Sequence, residues 1–243
     1  MGKIIAIKNN KGGVGKTFLT TQIAAGLSYL ENKVLILTSD PQNNVFNYLF
    51  RGEKSFRKGL KAEVLKKDGE YFRLRSDLYF LPLEDVKFSN QFIKELPIFL
   101  NRIKSEFDYI IIDSIPTLKI DEIFLKESEY ILIPNFANSV TLEGVLNLLK
   151  TIDINKVKAI VTNNYKDTKV QKEFYNMLKN ELEDYPILVT DPIKNLSFIE
   201  GMLEEKKTIW EYQNKSASEV QKILISLIKE IQNWVPTWNS VSI

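Results

Sequence analysis

Short β-branched runs alternate along the chain with longer amphipathic stretches. Apolar runs at Lys3–Lys8, Lys33–Leu37, Leu78–Leu81, Tyr109–Ile112, Tyr130–Ile133, Val157–Thr162 and Ile187–Val189 predict strands. Several are apolar almost throughout, the mark of strands buried on both faces of a parallel sheet. Helical spacing predicts helices over 17–30, 90–105, 139–151, 168–183 and 217–233. Such strand–helix alternation predicts an α/β protein with a doubly wound, mostly parallel sheet flanked by helices. Residues 43–76 are the least regular stretch and read as short helices joined by loops. With no repeat, low-complexity segment or linker in view, a single domain over 1–243 is expected.

Val220, Ile223, Leu224, Leu227, Ile228 and Ile231 form an apolar stripe on the last helix. Core packing is the expectation for it. A helix lying on a membrane is the alternative, and the mixture of Glu and Lys on the polar face, with Pro236 beyond, argues against it. No apolar run reaches the roughly 18 residues that span a bilayer.

Composition narrows the chemistry. The 243 residues include neither histidine nor cysteine. Histidine bases, Ser–His and Cys–His nucleophiles, disulfides, cysteine-held clusters and Cys/His zinc sites are therefore excluded. What remains is Lys, Asp, Glu, hydroxyls, backbone amides and a borrowed ion or cofactor. With no disulfide possible, a cytoplasmic location is expected. The net charge of +2 conceals an asymmetry: residues 1–75 carry 14 basic and 6 acidic side chains, whereas the rest carry 19 and 25. A local basic surface is expected, not a generally cationic protein.

The first strand runs directly into Lys11-Gly12-Gly13-Val14-Gly15-Lys16-Thr17. The general phosphate-loop pattern places a glycine at position 10, where this chain has Asn10, so the match is to a variant form. Gly12, Gly13 and Gly15 allow close backbone approach to phosphate. Successive N–H groups and the start of the next helix make an anion nest. Lys16 is placed to reach the β- and γ-phosphates, and Thr17 to ligate Mg²⁺.

Two acidic motifs follow. Asp40 comes after the second strand in Thr38-Ser39-Asp40-Pro41-Gln42. Asp113 ends the apolar run of Phe107-Asp108-Tyr109-Ile110-Ile111-Ile112, the arrangement by which a buried strand delivers a carboxylate toward Mg²⁺, directly or through water.

Together these motifs resemble the ParA/MinD group of deviant Walker-A ATPases, whose hallmark is a second lysine at the loop start, here Lys11. The resemblance implies a P-loop NTPase that takes ATP/ADP and Mg²⁺. It implies that Lys11 reaches across a homodimer interface to the partner's nucleotide, and that Asp40 orients the attacking water. Lys11, Lys16 and Asp40 are thus the expected catalytic set, with Thr17 and Asp113 at the metal. Two departures stand out. Thr38 replaces the first Asp of the family's D-x-D-P-Q, and Phe18 replaces a hydroxyl residue that touches the α-phosphate, leaving its backbone N–H for that contact. Asp113 to Leu118 stands for the family's D-x-P-P-S-L. Looser likeness downstream implies an adenine pocket near Asn163 and residues 190–195.

Absent cysteines exclude the family's cluster-carrying branches, and Asp40-Pro41-Gln42 resembles the ParA/Soj branch. The chain starts at its first strand, so no extra N-terminal DNA-binding domain is expected. The resemblance implies an ATP-dependent dimer that binds DNA without sequence preference, associates with the nucleoid and hydrolyses ATP when a ParB-like partner stimulates it. Lys206, Lys207, Lys215 and the basic cluster within 51–75 are candidate DNA contacts. A MinD-like membrane-cycling ATPase and a weakly hydrolysing nucleotide-gated scaffold are the alternatives.

Overall fold

The computed structural model describes residues 1–115 and 119–233. Pro116 to Leu118 of the third motif, and Pro236 after the last helix, lie outside the described residues. The strands are β1 (Lys3–Ile7), β2 (Val34–Thr38), β3 (Phe72–Arg75), β4 (Leu78–Leu81), β5 (Tyr109–Asp113), β6 (Tyr130–Asn135), β7 (Val157–Thr162) and β8 (Leu188–Val189). The helices are α1 (Lys16–Tyr29), α2 (Val45–Leu49), α3 (Leu60–Lys66), α4 (Asn90–Ile103), α5 (Lys119–Glu127), α6 (Ser139–Leu149), α7 (Lys169–Glu181), α8 (Phe198–Glu204) and α9 (Lys215–Asn233).

Among the described residues the strands form one sheet in the order β3-β4-β2-β5-β1-β6-β7-β8. Every pairing is parallel except β3 with β4. That antiparallel edge departs from the loops and short helices expected over 43–76. Two arginines in Phe72–Arg75 break the apolar pattern, and only Leu74 of this strand is buried. The strand is held by a tight turn with Asp77 left-handed at φ 54° and by rings that interlock beneath it. Phe46 of α2 meets Phe72 and Phe80 edge-on, each at 4.9 Å between centroids. Such pairs add about 0.5–1.5 kcal/mol beyond their burial.

The two faces of the sheet are packed by different helices. Ile5, Ile7, Val34 and Ile36 point to one side, where they meet α1, α2 and α9. Ile4, Leu35 and Leu37 point to the other, against α3, α4 and α5, while Ala6, Ile131 and Ile133 meet α6 and α7. Strands covered on both sides explain why their sequences are apolar throughout.

The stripe on α9 is core. Val220, Leu224, Leu227, Ile228 and Ile231 are buried in the cluster that holds α1. Each contributes about 1.5–3 kcal/mol by leaving water. Gly26 of α1 permits the approach: a Cβ there would stand 2.6 Å from Ile228 Cδ1 and from Trp210 Cζ2. The Trp210 indole donates to the Gln22 carbonyl at 2.7 Å, fixing the segment before α9 to the same helix. No helix among the described residues is long and apolar enough to cross a membrane.

Candidate active site

Strand register assembles the three motifs. Asp113 pairs with Ile7 on one side and with Thr38 on the other. The phosphate loop, the Asp40 turn and the Asp113 carboxylate therefore leave the same end of three adjacent strands. β1 lies between β5 and β6, so the chain winds outward in both directions from this place. Open α/β sheets bind ligands outside the carboxyl ends of their strands at such a switch point.

The loop has the geometry of an anion nest. Gly13 and Gly15 have φ of 73° and 96°, a region that side chains rarely enter. The first α1 amide to reach a helical acceptor is that of Leu19, which donates to the Gly15 carbonyl at 2.9 Å. The amides of Lys16, Thr17 and Phe18 precede it at the positive end of the helix. Phe18 itself is buried in the α1–α9 core. Its side chain packs there, and its N–H stays with the nest.

Lys16 is almost wholly buried and donates from Nζ to the Lys11 carbonyl at 2.8 Å. Burial lowers its pKa, opposed by the charge of Asp113. Lys11 is exposed, and its stem lies over α6, where a Cβ on Gly144 would meet Lys11 Cε at 3.5 Å. Of the two lysines, one is thus enclosed beneath the loop and the other is free to turn outward.

Asp113 accepts from Thr17 Oγ1 at 2.7 Å and from Thr20 Oγ1 at 3.5 Å. Burial pushes its carboxyl up to about 6, against the pull of the Thr17 hydrogen bond and the Lys16 charge. Thr17 and Asp113 bring two hard oxygen donors together, which fits Mg²⁺ with phosphate oxygens and water completing its shell. Among the described residues no group of three or more acidic side chains forms a self-sufficient metal site.

Thr38 has a defined role in this geometry. Its hydroxyl donates to the Asp113 carbonyl at 3.1 Å and accepts from the Asp40 amide at 2.9 Å, tying the two acidic turns together. Ser39 adds a second tie by accepting from the Ile115 amide at 2.8 Å. The Asp40 carboxylate accepts from the Gln42 amide at 2.9 Å and from the Asn44 side chain at 3.2 Å. Part of Asp40 remains open to solvent.

Asn163 lies against the phosphate loop itself. A Cβ on Gly15 would come within 2.2 Å of Asn163 Nδ2. Beyond it, a cavity of about 530 Å³ opens beside β8, bordered by Tyr165, Asp191, Pro192, Lys194 and α9. None of the phosphate-loop residues lines it.

The basic residues converge from distant sequence. Arg51 and Arg75 both reach Glu211 at 3.2 Å. Lys206 donates to the Asn47 carbonyl, and Lys207 pairs with Glu205 at 2.6 Å. Lys215 stands apart at the start of α9. Sequence reasoning missed Lys8, Ser114 and Asp121, which are buried, the Ser114 hydroxyl donating to Asp121 Oδ1 at 2.7 Å. The signal available for Lys8 was a charge ending an apolar strand at an inward pleat position.

A central parallel sheet with a phosphate loop at its switch point, two loop lysines and a strand-borne Asp defines a P-loop nucleotide-binding protein. Residues 2–165 match the family model described as AAA domain. The chain belongs to the ParA/MinD family of P-loop ATPases. It is 32% identical over 167 residues to the sporulation initiation inhibitor protein Soj of Bacillus subtilis, covering 63% of this chain and 65% of Soj. Over 170 residues it is 32% identical to the chromosome partitioning protein ParA of Myxococcus xanthus, covering 64% of this chain and 60% of that protein. The chain thus matches about two thirds or less of the length of these relatives. The ATP complex of a variant of Cyanothece McdA shares the fold, with a TM-score of 0.79 at 15% identity over 98% of this chain and 99% of that one.

Proposed function

We propose that this protein is a DNA-partitioning ATPase of the ParA/Soj kind. ATP drives it into a nucleotide-sandwich homodimer that binds DNA without sequence preference at the nucleoid, and a ParB-like partner stimulates hydrolysis. The observation that carries the reading is the disposition of the two loop lysines: Lys16 enclosed beneath the loop, Lys11 exposed on α6. An exposed cation at the mouth of a phosphate nest has a use in a second subunit, where it offsets charge developing on the transferred phosphoryl group.

Within the site, the amides of Lys16, Thr17 and Phe18 and the Lys16 ammonium hold the phosphates. Thr17 and Asp113 would hold Mg²⁺, which would supply positive charge to offset that of the phosphates. Asp40, tethered to Asp113 through Thr38, orients the attacking water. Asn163 borders the base-binding end, with residues 190–195 beside it.

For DNA, the convergence of Arg51, Arg75, Lys206 and Lys207 on one edge supports a shared basic face. The Arg51–Glu211 and Lys207–Glu205 pairs are surface pairs of small net worth and exchange readily for phosphate, whereas Arg75, largely enclosed on the Leu49, Leu74 and Lys206 carbonyls, holds this edge together. A dimer doubles this face and raises avidity without any new contact. The burial of the α9 stripe favours this reading over membrane cycling.

The test is co-sedimentation with non-specific DNA in ADP, ATP and a non-hydrolysable ATP analogue across a salt series. Binding is expected with ATP and the analogue only, weakening steeply with salt. Equal binding in all nucleotide states would remove the partition reading.

A further inference from the structure

The Asp40 carboxylate is held by its own turn on one oxygen and by a series of side chains on the other. Oδ1 accepts from the Gln42 amide at 2.9 Å, while Oδ2 accepts from Asn44 Nδ2 at 3.2 Å. Asn44 is in turn engaged from α2: its Oδ1 accepts from Asn47 Nδ2 at 3.1 Å. The two asparagines are about one helical turn apart, so their side chains meet. Asn47 completes the series by accepting at Oδ1 from the Lys54 ammonium.

A lysine can only donate and an ionised carboxylate can only accept. Two amides strung between them therefore have one consistent orientation, each accepting on the Lys54 side and donating on the Asp40 side. Turning Asn47 over would set donor against donor at Lys54, and turning Asn44 over would set acceptor against acceptor at Asp40. Hydrogen bonds in such a series polarise one another in the same sense.

The far end of the series is anchored from a distant part of the chain. The Asn47 carbonyl lies in the last turn of α2, where a helix leaves its acceptors unpaired, and it takes the Lys206 ammonium from 159 residues away. Lys206 has a left-handed backbone at φ 54°, and its own carbonyl accepts from Arg75 Nη2. Asn47 is exposed, so its side-chain hydrogen bonds compete with water and add little to stability. What they fix is the direction in which the Asn44 amide points.

We propose that Asn47, oriented by Lys54, is a positioning residue for Asp40: it turns the Asn44 amide so that its N–H group holds Oδ2, and the carboxylate keeps the rotation from which it orients the attacking water. The inference rests on the reading of Asp40 given above.

The test compares the full chain with Asn47→Ala, Asn47→Asp, Lys54→Met and Lys54→Arg. Asn47→Asp keeps an acceptor for Lys54 but cannot donate to Asn44. Three quantities are measured. The first is the Asn44 side-chain amide signal in proton–nitrogen correlation spectra of the nucleotide-free protein, assigned by its loss in Asn44→Ala. The others are affinity for a fluorescent ATP analogue and single-turnover phosphate release with Mg²⁺ and ATP. Both Asn47 variants are expected to shift the Asn44 signal and to bind the analogue within about twofold of wild type, yet to release phosphate about tenfold more slowly, because small misplacements of a reacting group cost rate more than binding. Lys54→Met is expected to show the same pattern, and Lys54→Arg to restore the wild-type signal and rate, since a guanidinium also only donates. Wild-type phosphate release in either Asn47 variant overturns the proposal, as does an Asn44 signal unmoved by Lys54→Met. A parallel loss of analogue affinity also overturns it, because α2 would then be shaping the binding site itself. A wild-type chain that binds the analogue and releases no phosphate overturns the hydrolytic reading instead, and the amide signals still decide whether Lys54 and Asn47 set the partner of Asp40.

Discussion

Replacing Asp113 by Asn should make the nucleotide-free protein more stable while disabling it. The carboxyl is buried and held up to about 6, against an ordinary value of 3.8. Each unit of difference is worth 1.36 kcal/mol, so ionised Asp113 costs the fold about 3 kcal/mol. The sign follows from linkage. A carboxyl raised in the folded state binds its proton more tightly there than in the unfolded chain. The penalty is therefore absent below about pH 4, grows as pH rises, and is complete above about pH 6. Asparagine removes the charge and keeps an oxygen that can accept from Thr17. Allowing for poorer hydrogen bonding, a gain of about 1–3 kcal/mol is expected at pH 7.5, or roughly 3–9 °C in Tm. The assay is thermal unfolding of both proteins without nucleotide or metal from pH 4 to pH 8, with the difference shrinking toward the acid end. A variant no more stable than wild type at pH 7.5, or an advantage independent of pH, would refute the reasoning. Adding Mg²⁺ and ADP should reverse the ranking, because only the carboxylate gains from the ion.

Further outcomes follow from the same geometry. Lys16→Ala should abolish binding of a fluorescent nucleotide, whereas Lys11→Ala should bind it near normally and fail to dimerise with ATPγS; a normal dimer would disprove the trans role of Lys11. Asp40→Ala should retain nucleotide and lose partner-stimulated phosphate release, and intact turnover would show that another group orients the water. Gly15→Ala should lose nucleotide binding in fluorescence titration, because it meets both a φ of 96° and the Asn163 amide 2.2 Å away. Gly26→Ala should lower stability by about 1–3 kcal/mol in urea unfolding, since overpacked cores yield by that amount; a neutral result would mean that α9 shifts freely on α1.

What could be read from the sequence depended on whether the information was local. The apolar runs of β1, β2, β5 and β6 announce themselves because each is buried on both faces. The phosphate loop is legible because its glycines, lysine and threonine are contiguous, and Asp40 and Asp113 because each follows directly from an apolar run. β3 was hidden by its two arginines, since an edge strand with one partner need not be apolar. α5 carries Ile120, Ile123 and Phe124 at helical spacing, a pattern little more than a turn long. The tie that Thr38 makes to the Asp113 carbonyl, the contact of Asn163 with Gly15, and the meeting of Ser114 with Asp121 depend on register between strands far apart in the chain. The convergence of Arg75 with residues 206–211 is of the same kind.

The placement of β1 has a consequence for the order in which the molecule is made. Among the described residues this first strand pairs with β5 and β6 alone, more than a hundred residues downstream. Asn163, whose amide lies over Gly15 and reaches toward the Val14 carbonyl at a separation of 149 residues, comes later still. Contacts so remote in sequence bear a loop-closure cost before they stabilise anything, and they slow folding. The loop sequence emerges early in synthesis, yet its final shape waits for β7 to dock. A nascent chain lacking that strand carries the motif without Asn163 over Gly15, so the cradle is expected to be completed only late in synthesis.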